Sequence, residues 1–313
     1  MARARVVPSP DRARSTFERF LVAETERIDT TLEKLLPKSS AFPRTIHRAM
    51  RYSTLWGGKR LRPAMAVLAY RTAGGRGAAV YPLSAAIEMI HAFSLIHDDL
   101  PCMDDDDYRR GRLSNHKVFG EAVAVLAGDA LIAEAFRILL APHRGEPGER
   151  LVQAAREVTR AIGTSGIIGG QVVDVESAGR RVSARTVEYI HRHKTGAYLK
   201  ASLRAGGALG GAPPALMGAL DAYGDRIGLA FQIADDLLDV MGTFKKLGRR
   251  PGGDLRKKKV TYPGVLGVEE SRRRVERLVD GALEQCPAFG RHGEHFTGLA
   301  LFVRDRAGVP RSL

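Results

Sequence analysis

Cysteine is scarce in this chain of 313 residues, where only Cys102 and Cys286 occur. Two cysteines cannot form a disulfide framework, and so low a number is typical of proteins in a reducing compartment, which favours a cytoplasmic location. Aromatic residues make up only 6% of the chain, while the net charge is +14. So large a positive charge can attract nucleic acid, a membrane surface or a polyanionic small substrate. Because the arginines are spread along the chain and few aromatic rings are available to stack on bases, we expect no nucleic-acid partner.

Long apolar runs are absent as well. The most apolar segment, 122–136, is interrupted by Asp129 and Glu134, so we expect no membrane span. The basic N-terminus lacks the apolar core and the cleavage site of a secretory signal, and we expect residues 1–10 to form a frayed basic arm. With 44% hydrophobic and 27% charged residues, the composition is that of an ordinary globular protein, and we expect one domain over residues 1–313.

Convincing strand patterns are also missing, whereas apolar residues recur at helical spacing along much of the chain. Residues 11–36 carry such a stripe along one helix face. Residues 118–140 are apolar almost all round, which predicts a central, buried helix. We also expect residues 191–211 to form one helix, with Lys194 and Thr195 near its middle.

An acidic cluster follows one of these apolar stripes. Residues 88–107 contain six aspartates, which begin at Asp98. Carboxylates at the end of a buried helix repel one another and are costly to desolvate, so they need cations, and Mg²⁺ prefers oxygen ligands of this kind. Pro101 cannot continue the helix backbone, and the resulting distortion can bring Asp98 and Asp104 together. Taken alone, a solvated acidic helix end is the better interpretation of such a charge run.

A second acidic cluster, in residues 231–240, changes that interpretation. Gln232, Asp235 or Asp236, and Asp239 lie at helical spacing on one stripe, between apolar residues that belong in a core. We expect the two clusters to face each other across a helical cavity. Six carboxylates placed in this way can hold several Mg²⁺ ions, bind a diphosphate and promote its departure as a leaving group.

Several basic residues are placed to bind anions. Lys59 and Arg62 stand at a helix entrance after a glycine pair, where backbone N–H groups and side-chain cations can bind a phosphate jointly. Arg109 and Arg110 directly follow the first acidic cluster. Together with Lys194 they exceed the number of cations that one diphosphate needs. We therefore expect two anionic substrates, and an apolar cavity below the acids would suit a hydrocarbon chain.

These segments resemble the trans-isoprenyl diphosphate synthases, also called polyprenyl synthetases, from about residue 50 to the end. Any one of the motifs is weak, but together they occur in family order and at family-like separations. The matching segments are GGKRLRP (57–63), EMIHAFSLIHDDLPCMDDDDYRRG (88–111), NHKVFGEAVAVLAGDAL (115–131), GGQVVD (169–174), HKTG (193–196), FQIADDLLDV (231–240) and TYP (261–263).

The resemblance implies an all-α isoprenoid synthase fold, in which a helical bundle surrounds a deep central cavity, usually in a homodimer. It implies a short-chain prenyltransferase that condenses isopentenyl diphosphate with an allylic diphosphate such as dimethylallyl or geranyl diphosphate. In that reaction Mg²⁺ assists ionisation of the allylic substrate, the alkene attacks the cation, and the departing pyrophosphate removes the proton.

The resemblance also implies roles for individual residues, by position. The implied metal ligands are Asp98, Asp99, Asp104, Asp235, Asp236 and Asp239. The implied contacts of isopentenyl diphosphate are Lys59, Arg62, His91 and Arg110, and Arg109 is an implied contact of the allylic diphosphate. Lys194, Thr195 and Gln232 match groups that hold the allylic diphosphate and face the developing carbocation. With Asp98, Asp104 and Asp235 they form the expected catalytic set.

Two further regions are expected to contact substrate. Gln171 and Asp174 can share a helix face, and we expect Gln171 at the substrate. After the second acidic cluster, family members usually carry a pattern like LGKxxGKD, where this chain reads LGRRPGGDL. Arg249 keeps the charge of the first lysine, whereas Gly253 loses that of the second. One lysine of the run 257–259 can compensate, and we include Lys259 with Arg249 among the expected substrate contacts.

Product length depends on the floor of the cavity. In this family a bulky residue at the fifth position before the first motif tends to stop elongation, and here that residue is Phe93, followed by the small Ser94. Such a floor lies ~7 Å below the metals along a helix. We therefore expect a farnesyl (C15) product. The neighbouring motifs are similar to those of geranylgeranyl (C20) synthases, and an outward-facing Phe93 would leave the cavity open.

Two other functions compete with this interpretation. A class I terpene cyclase shares the fold and the metals, but its second motif normally mixes Asn, Ser and Glu, whereas this chain has DDLLD, and a cyclase does not need GGKRLRP. A non-catalytic subunit of a partner synthase typically loses one aspartate motif, and both are intact in this chain.

Overall fold

The computed structural model of the chain describes residues 9–141, 147–241 and 259–309. Its helices within these ranges are α1 (Pro10–Leu35), α2 (Arg44–Leu55), α3 (Leu61–Thr72), α4 (Val80–Asp98), α5 (Asn115–Phe119), α6 (Glu121–Leu139), α7 (Gly148–Ile162), α8 (Ile167–Ser177), α9 (Ala184–Ile190), α10 (Ala197–Leu209), α11 (Pro214–Met241), α12 (Tyr262–Leu266), α13 (Val268–Leu283) and α14 (Gly293–Arg306). A π-helical segment (His191–Gly196) joins α9 to α10, and a 3₁₀ segment (Cys286–His292) precedes α14.

The prediction of an all-α fold is confirmed. The expectation that the chain has no strands is wrong at one point. Two-residue strands, β1 (Tyr108–Arg109) and β2 (Arg112–Leu113), pair in antiparallel fashion directly after the first acidic cluster. This small hairpin turns the chain back toward α5 and places two arginines beside the acids.

A side-chain cap and a proline define the start of the first helix. The Ser9 side chain accepts a hydrogen bond from the Arg12 N–H, and Pro10 takes the first helical position, where its missing N–H costs nothing. Residues 1–8 of the predicted basic arm lie outside the described ranges, and Pro10 already belongs to α1. The apolar stripe of α1, which includes Phe17, is buried and packs against α14.

The segment 118–140 differs from its prediction. Gly120, at φ 84°, separates α5 from α6, and only one side of α6 is buried. Ala124 and Leu131 are fully buried on the side that packs along α4, whereas Val125 and Leu126 are 40% and 57% exposed. The expectation of a helix buried all round is therefore wrong. The apolar composition of α6 reflects a core face together with an exposed apolar face.

Buried tyrosines connect the central helices α4, α10, α11 and α14. The Tyr198 hydroxyl on α10 donates to the Ile87 carbonyl on α4 (2.7 Å), and the Tyr223 hydroxyl on α11 donates to the Phe296 carbonyl on α14 (2.6 Å). A buried tyrosine contributes a large apolar surface but needs a partner for its hydroxyl. Each of these bonds therefore fixes the separation of two helices as well as their contact.

The predicted helix over 191–211 contains an irregularity where Lys194 and Thr195 lie. Residues 191–196 are π-helical, and such single-turn segments often occur at functional sites. Gly196 and Gly228 bring this segment into backbone contact with α11, since a Cβ on Gly228 would lie 2.7 Å from the Gly196 Cα. The close approach lets the Thr195 hydroxyl donate to the Gln232 side-chain carbonyl at 2.6 Å.

We expect Gly228→Ala to lower the free energy of unfolding by about 1–3 kcal/mol, because the added methyl group would force α11 away from the π-helical segment. Gly218→Ala is the matched control, since it lies on the same helix and its Cβ would meet nothing within 4 Å. The control should gain about 0.5–1 kcal/mol from helix propensity. Urea unfolding followed by circular dichroism measures both, and equal effects of the two variants would contradict the close packing.

Candidate active site

One cavity of about 420 Å³ unites most of the residues that the sequence analysis singled out. Its wall comes from α3, α4 with the loop after it, the hairpin, α8, α9, the π-helical segment, α10, α11, residues 259–261 and α14. Asp98 and Asp104 lie on one side, and Asp235 from α11 contributes to the same wall. The two acidic clusters therefore face a shared cavity. The other predicted residues that line it are Arg62, His91, Ser94, Arg109, Arg110, Lys194, Thr195, Gln232, Asp236 and Lys259.

The first acidic cluster folds back on itself. Asp98 is the last residue of α4, and the Asp104 N–H donates to the Asp98 carbonyl at 2.8 Å. The Asp106 N–H bonds the Asp99 carbonyl in the same way at 3.2 Å. These bonds close the intervening segment, which contains Pro101, into a compact loop. Asp98 and Asp104 consequently reach the same cavity although six residues separate them.

Asp99 is turned away from that cavity. Its carboxylate is buried and accepts hydrogen bonds from the Arg109 guanidinium. Burial raises the pKa of Asp99, while the charge of Arg109 acts in the opposite direction. Asp99, which the resemblance implied as a metal ligand, thus contacts Arg109 and is not part of the cavity wall. Asp99 anchors Arg109, which itself lines the cavity.

The second acidic cluster divides in the same way. Asp235 lines the cavity and accepts a hydrogen bond from Arg306. Asp236 also lies at the wall, but Gln232 Nε2 donates to its Oδ1 at 3.0 Å, and His191 Nε2 and the Tyr262 N–H donate to its Oδ2 at 2.7 and 2.9 Å. Both of its oxygens are thus engaged by the protein. The side chain tethers α11 to the π-helical segment and to α12.

Asp239 does not reach the cavity either. It is 1% exposed and is missing from the cavity wall. The remaining predicted acids are Asp98, Asp104 and Asp235. They present carboxylates to the cavity, and the oxygens of Asp98 and Asp235 are not all occupied by donors of the described residues as those of Asp236 are. Burial raises the pKa of Asp98 and of Asp235, the result expected for carboxylates that lack a sufficient cation.

Protein cations neutralise these acids in part. Lys259 Nζ lies 2.6 Å from Asp104 Oδ2, and Lys194 Nζ lies 2.7 Å from Asp174 Oδ2. Burial disfavours the charged form of Lys194, but Asp98 and Asp174 outweigh it and raise the pKa of Lys194. This lysine therefore stays protonated inside the cavity, where it can bind an anion.

A second pocket, of about 490 Å³, adjoins the first and has a different character. Lys59, Arg62, His91 and Arg110 line it, and these are the four residues that the resemblance implied for isopentenyl diphosphate. Burial and the charge of Arg62 keep the pKa of His91 well below its ordinary value, so the ring is neutral. Burial also lowers the pKa of Arg62, whose Nε has no hydrogen-bond partner. The pocket therefore combines three basic side chains with a neutral histidine and a buried donor, Arg62 Nε, that has no hydrogen-bond partner.

Three expected residues lie elsewhere. The Gln171 amide lies 4.0 Å from the Met103 sulfur and is absent from the cavity wall, to which Asp174 of the same helix contributes instead. Phe93 is also absent from the wall. Its ring packs edge-on against His97, which contacts the Val125 carbonyl on α6, so the expected floor lies behind the wall that Ser94 forms. Arg249 lies outside the described residues.

Two residues of this site were not among those predicted from the sequence. His191 precedes Lys194 by one helical turn and bonds Asp236, a partnership that its position just before the HKTG segment could have suggested. Arg306 belongs to the C-terminal helix and lies in no recognisable motif, so no local signal could have identified it.

The donor set of the cavity fits Mg²⁺. Asp98, Asp104 and Asp235 offer carboxylate oxygens, the ligands that this hard ion prefers, and burial raises the pKa of Asp98 and of Asp235. Among the described residues, the group of three side chains whose ligand atoms lie within 4.8 Å of one another is a different one, Asp105, Asp107 and His116. The cavity acids are therefore near one another but do not converge to ligand distance.

Comparison with known proteins agrees with this site. A family model described as Polyprenyl synthetase matches residues 43–288. The chain belongs to the polyprenyl synthetase family. It is 40% identical over 288 residues to a dimethylallyltranstransferase of Fischerella ambigua, with 92% of this chain and 83% of the relative covered. It is 41% identical over 288 residues to a geranylgeranyl diphosphate synthase of Cyanophora paradoxa, with 92% and 95% covered.

Solved structures give the same result for the fold. An FPP/GFPP synthase from Zymomonas mobilis, 34% identical, superposes with a TM-score of 0.80 over 94% of this chain and 99% of that one. The predictions of an isoprenoid synthase fold and of a short-chain trans-prenyltransferase are therefore confirmed for this polyprenyl synthetase. Each helix in the described ranges is too short or too polar to cross a bilayer.

Asp236 and Asp235 are adjacent but should differ in their effect on stability. We expect Asp236→Ala to lower the free energy of unfolding by about 3 kcal/mol, because it leaves the buried His191 and the Tyr262 N–H without an acceptor. Asp235→Ala breaks a partly exposed ion pair and should cost less than about 1 kcal/mol. Urea unfolding of the two variants, with the wild type as reference, measures the difference. Similar losses would contradict the assignment of Asp236 to the scaffold.

Proposed function

We propose that this polyprenyl synthetase condenses isopentenyl diphosphate with an allylic diphosphate, dimethylallyl or geranyl diphosphate, and releases pyrophosphate. The observation that carries the proposal is the pairing of two adjoining sites. One cavity combines acids with Lys194, and the neighbouring pocket is lined by Lys59, Arg62 and Arg110. The carboxylate of that second pocket, Glu88, is already bonded to Arg60. The first cavity can therefore bind an anion together with metal ions. The second pocket can bind another anion through its basic side chains alone.

Mg²⁺ would be held in the first cavity by Asp98, Asp104 and Asp235. When bound, it neutralises the charge that develops on a departing diphosphate. Lys194 and Arg109 supply further positive charge in the same wall, and the buried Asp99 holds Arg109 in place. Arg109 and Lys194 would therefore orient the allylic diphosphate, in keeping with the roles expected from the sequence.

Thr195 and Gln232 would stabilise the positive charge left on the allylic fragment. The Thr195 hydroxyl donates to Gln232 Oε1, and the Gln232 amide nitrogen donates to Asp236, so the amide is locked in one orientation. Because its proton is donated in this bond, the Thr195 oxygen keeps its lone pairs as acceptors at the cavity wall. Two fixed oxygen dipoles beside the reacting carbon need no reorganisation when the cation forms.

We propose farnesyl diphosphate as the main product. Although Phe93 is not part of the cavity wall, it fills the contact between α4 and α6 behind Ser94, where its ring packs against His97. A chain that outgrew the cavity would have to displace these two rings. Geranylgeranyl diphosphate is the second candidate, which the name of the Cyanophora paradoxa relative favours.

The central test is release of pyrophosphate by the purified protein with Mg²⁺ and each substrate alone or both together. We expect release only when isopentenyl diphosphate and an allylic diphosphate are both present. Release from the allylic substrate alone would indicate a terpene cyclase, and no release under any condition would indicate a non-catalytic subunit.

Chromatography of the same reactions tests the product. The wild type should give mainly C15, and Phe93→Ala should shift at least half of the product to C20 or longer because the α4–α6 contact opens. Phe136→Ala on α6, a partly buried apolar side chain outside the cavity wall, is the matched control and should leave product length unchanged. An unaltered product from Phe93→Ala would remove Phe93 from the control of chain length.

We also propose that the protein is a homodimer in a cytoplasmic compartment. The exposed apolar face of α5 and α6, formed by Val118, Val125 and Leu126, supports a self-association surface. Both cysteines are free thiols, which suits a reducing compartment.

We expect light scattering to give twice the chain mass of 34.0 kDa for the wild type. Leu126→Glu should give the monomer mass, since it places a charge in the apolar face. Val22→Glu, equally exposed but on α1, is the control and should remain dimeric. A wild type that runs as a monomer would exclude the proposed interface.

A further inference from the structure

Arg306, near the C-terminal end of the described chain, lies at the boundary of three cavities. It contributes to the walls of the acid-lined cavity, of the adjoining cation pocket, and of a third cavity of about 320 Å³ between α1 and α14. Its guanidinium lies 5.5 Å from the Phe231 ring centroid, and its side chain remains 27% exposed. The side chain is therefore long, partly solvated and within reach of more than one site.

In this structure Arg306 is bound to the acid-lined cavity. Its Nε donates to Asp235 Oδ1, one of the two carboxylate oxygens with which Asp235 could bind a metal ion. Asp104, which lines the same cavity, is paired in the same way with Lys259. Both cations come from the last 55 residues of the chain, whereas the acids belong to the two motifs. One acid of each motif is thus paired with a cation of the protein itself.

Arg306 also influences the cation pocket. Burial lowers the pKa of Lys59, and the charge of Arg306 lowers it further, so the two cations are close enough to repel each other. Phe302, one helical turn before Arg306, lies under the Lys59 ammonium group at 4.7 Å. Two like charges at one pocket favour the entry of an anion that both can contact.

We propose that Arg306 is an exchangeable counter-cation and a positioning residue, which occupies Asp235 in the metal-free protein and turns to the anion in the cation pocket once a divalent ion takes Asp235. The inference rests on the proposed function, since that anion would be the diphosphate of the second substrate. Metal binding frees Arg306, and the freed guanidinium strengthens the second site. Loading of the acid-lined cavity thereby promotes binding in the cation pocket.

If Arg306 exchanges in this way, its substitution should strengthen metal binding and weaken binding of the second substrate. When the Arg306 guanidinium is removed, Asp235 is more available to a divalent ion. Arg306→Gln should therefore bind Mn²⁺ about fivefold more tightly than the wild type in the absence of substrates. The same variant should raise the KM for isopentenyl diphosphate about tenfold at saturating Mg²⁺ and allylic substrate, with a much smaller change in kcat. Arg306→Lys should retain most of both properties.

If Arg306 only held α14 against α11, its loss would weaken both Mn²⁺ binding and binding of isopentenyl diphosphate. Arg14→Gln is the matched control. Arg14 bonds Asp305, the neighbour of Arg306, at 2.7 Å, so its loss breaks an ion pair at the same end of α14 without touching Asp235. Free Mn²⁺ is measured by electron paramagnetic resonance, and steady-state assays give KM.

Tighter Mn²⁺ binding together with a higher KM in Arg306→Gln, and neither change in Arg14→Gln, supports the exchange. Equal or weaker Mn²⁺ binding by a folded Arg306→Gln overturns it, as does an unaltered KM. Failure of the wild type to release pyrophosphate from the two substrates would instead refute the proposed function, while the Mn²⁺ titration would still report on the contact between Arg306 and Asp235.

Discussion

Carboxylates that are buried around one cavity need positive charge, and this requirement organises the centre of the molecule. The cations that pair with Asp104 and Asp235 belong to neither α4 nor α11. Lys259 therefore comes from 155 positions along the chain to reach Asp104, and Arg306 comes from 71 positions away to reach Asp235. Contacts of this range bring the C-terminal part of the chain over a cavity whose acids come from α4, the loop after it and α11.

The same requirement explains why each acidic cluster contains adjacent aspartates. Consecutive residues on a helix point about 100° apart, so two neighbours meet different partners. Asp98 and Asp235 line the cavity. Asp99 instead bonds Arg109, and Asp236, although it also lies at the wall, has both oxygens bonded within the protein, one of them to His191. One aspartate of each pair thus presents charge to the site, and the other fixes the scaffold that positions it.

Backbone irregularities complete the site where regular helices would not. The π-helical segment His191–Gly196 and the glycine contact at Gly228 allow Thr195 to reach Gln232 on α11. The loop after Asp98 folds back through backbone hydrogen bonds and returns Asp104 to the same wall. In both places the chain departs from ideal geometry next to the residues that carry the chemistry, which is where such departures are usually found.

Local patterns were enough to predict that the chain is helical and that the two acidic clusters share one cavity, because these properties follow from spacing within single helices and from motif order. The grouping of Lys59, Arg62, His91 and Arg110 came instead from the family resemblance. Only the tertiary structure decided what each aspartate of a pair contacts, that Phe93 and Gln171 lie outside the cavity wall, and that Arg306 lines it. Helical periodicity defines the faces of a helix, but the helix that covers each face is chosen by packing between residues far apart in the chain.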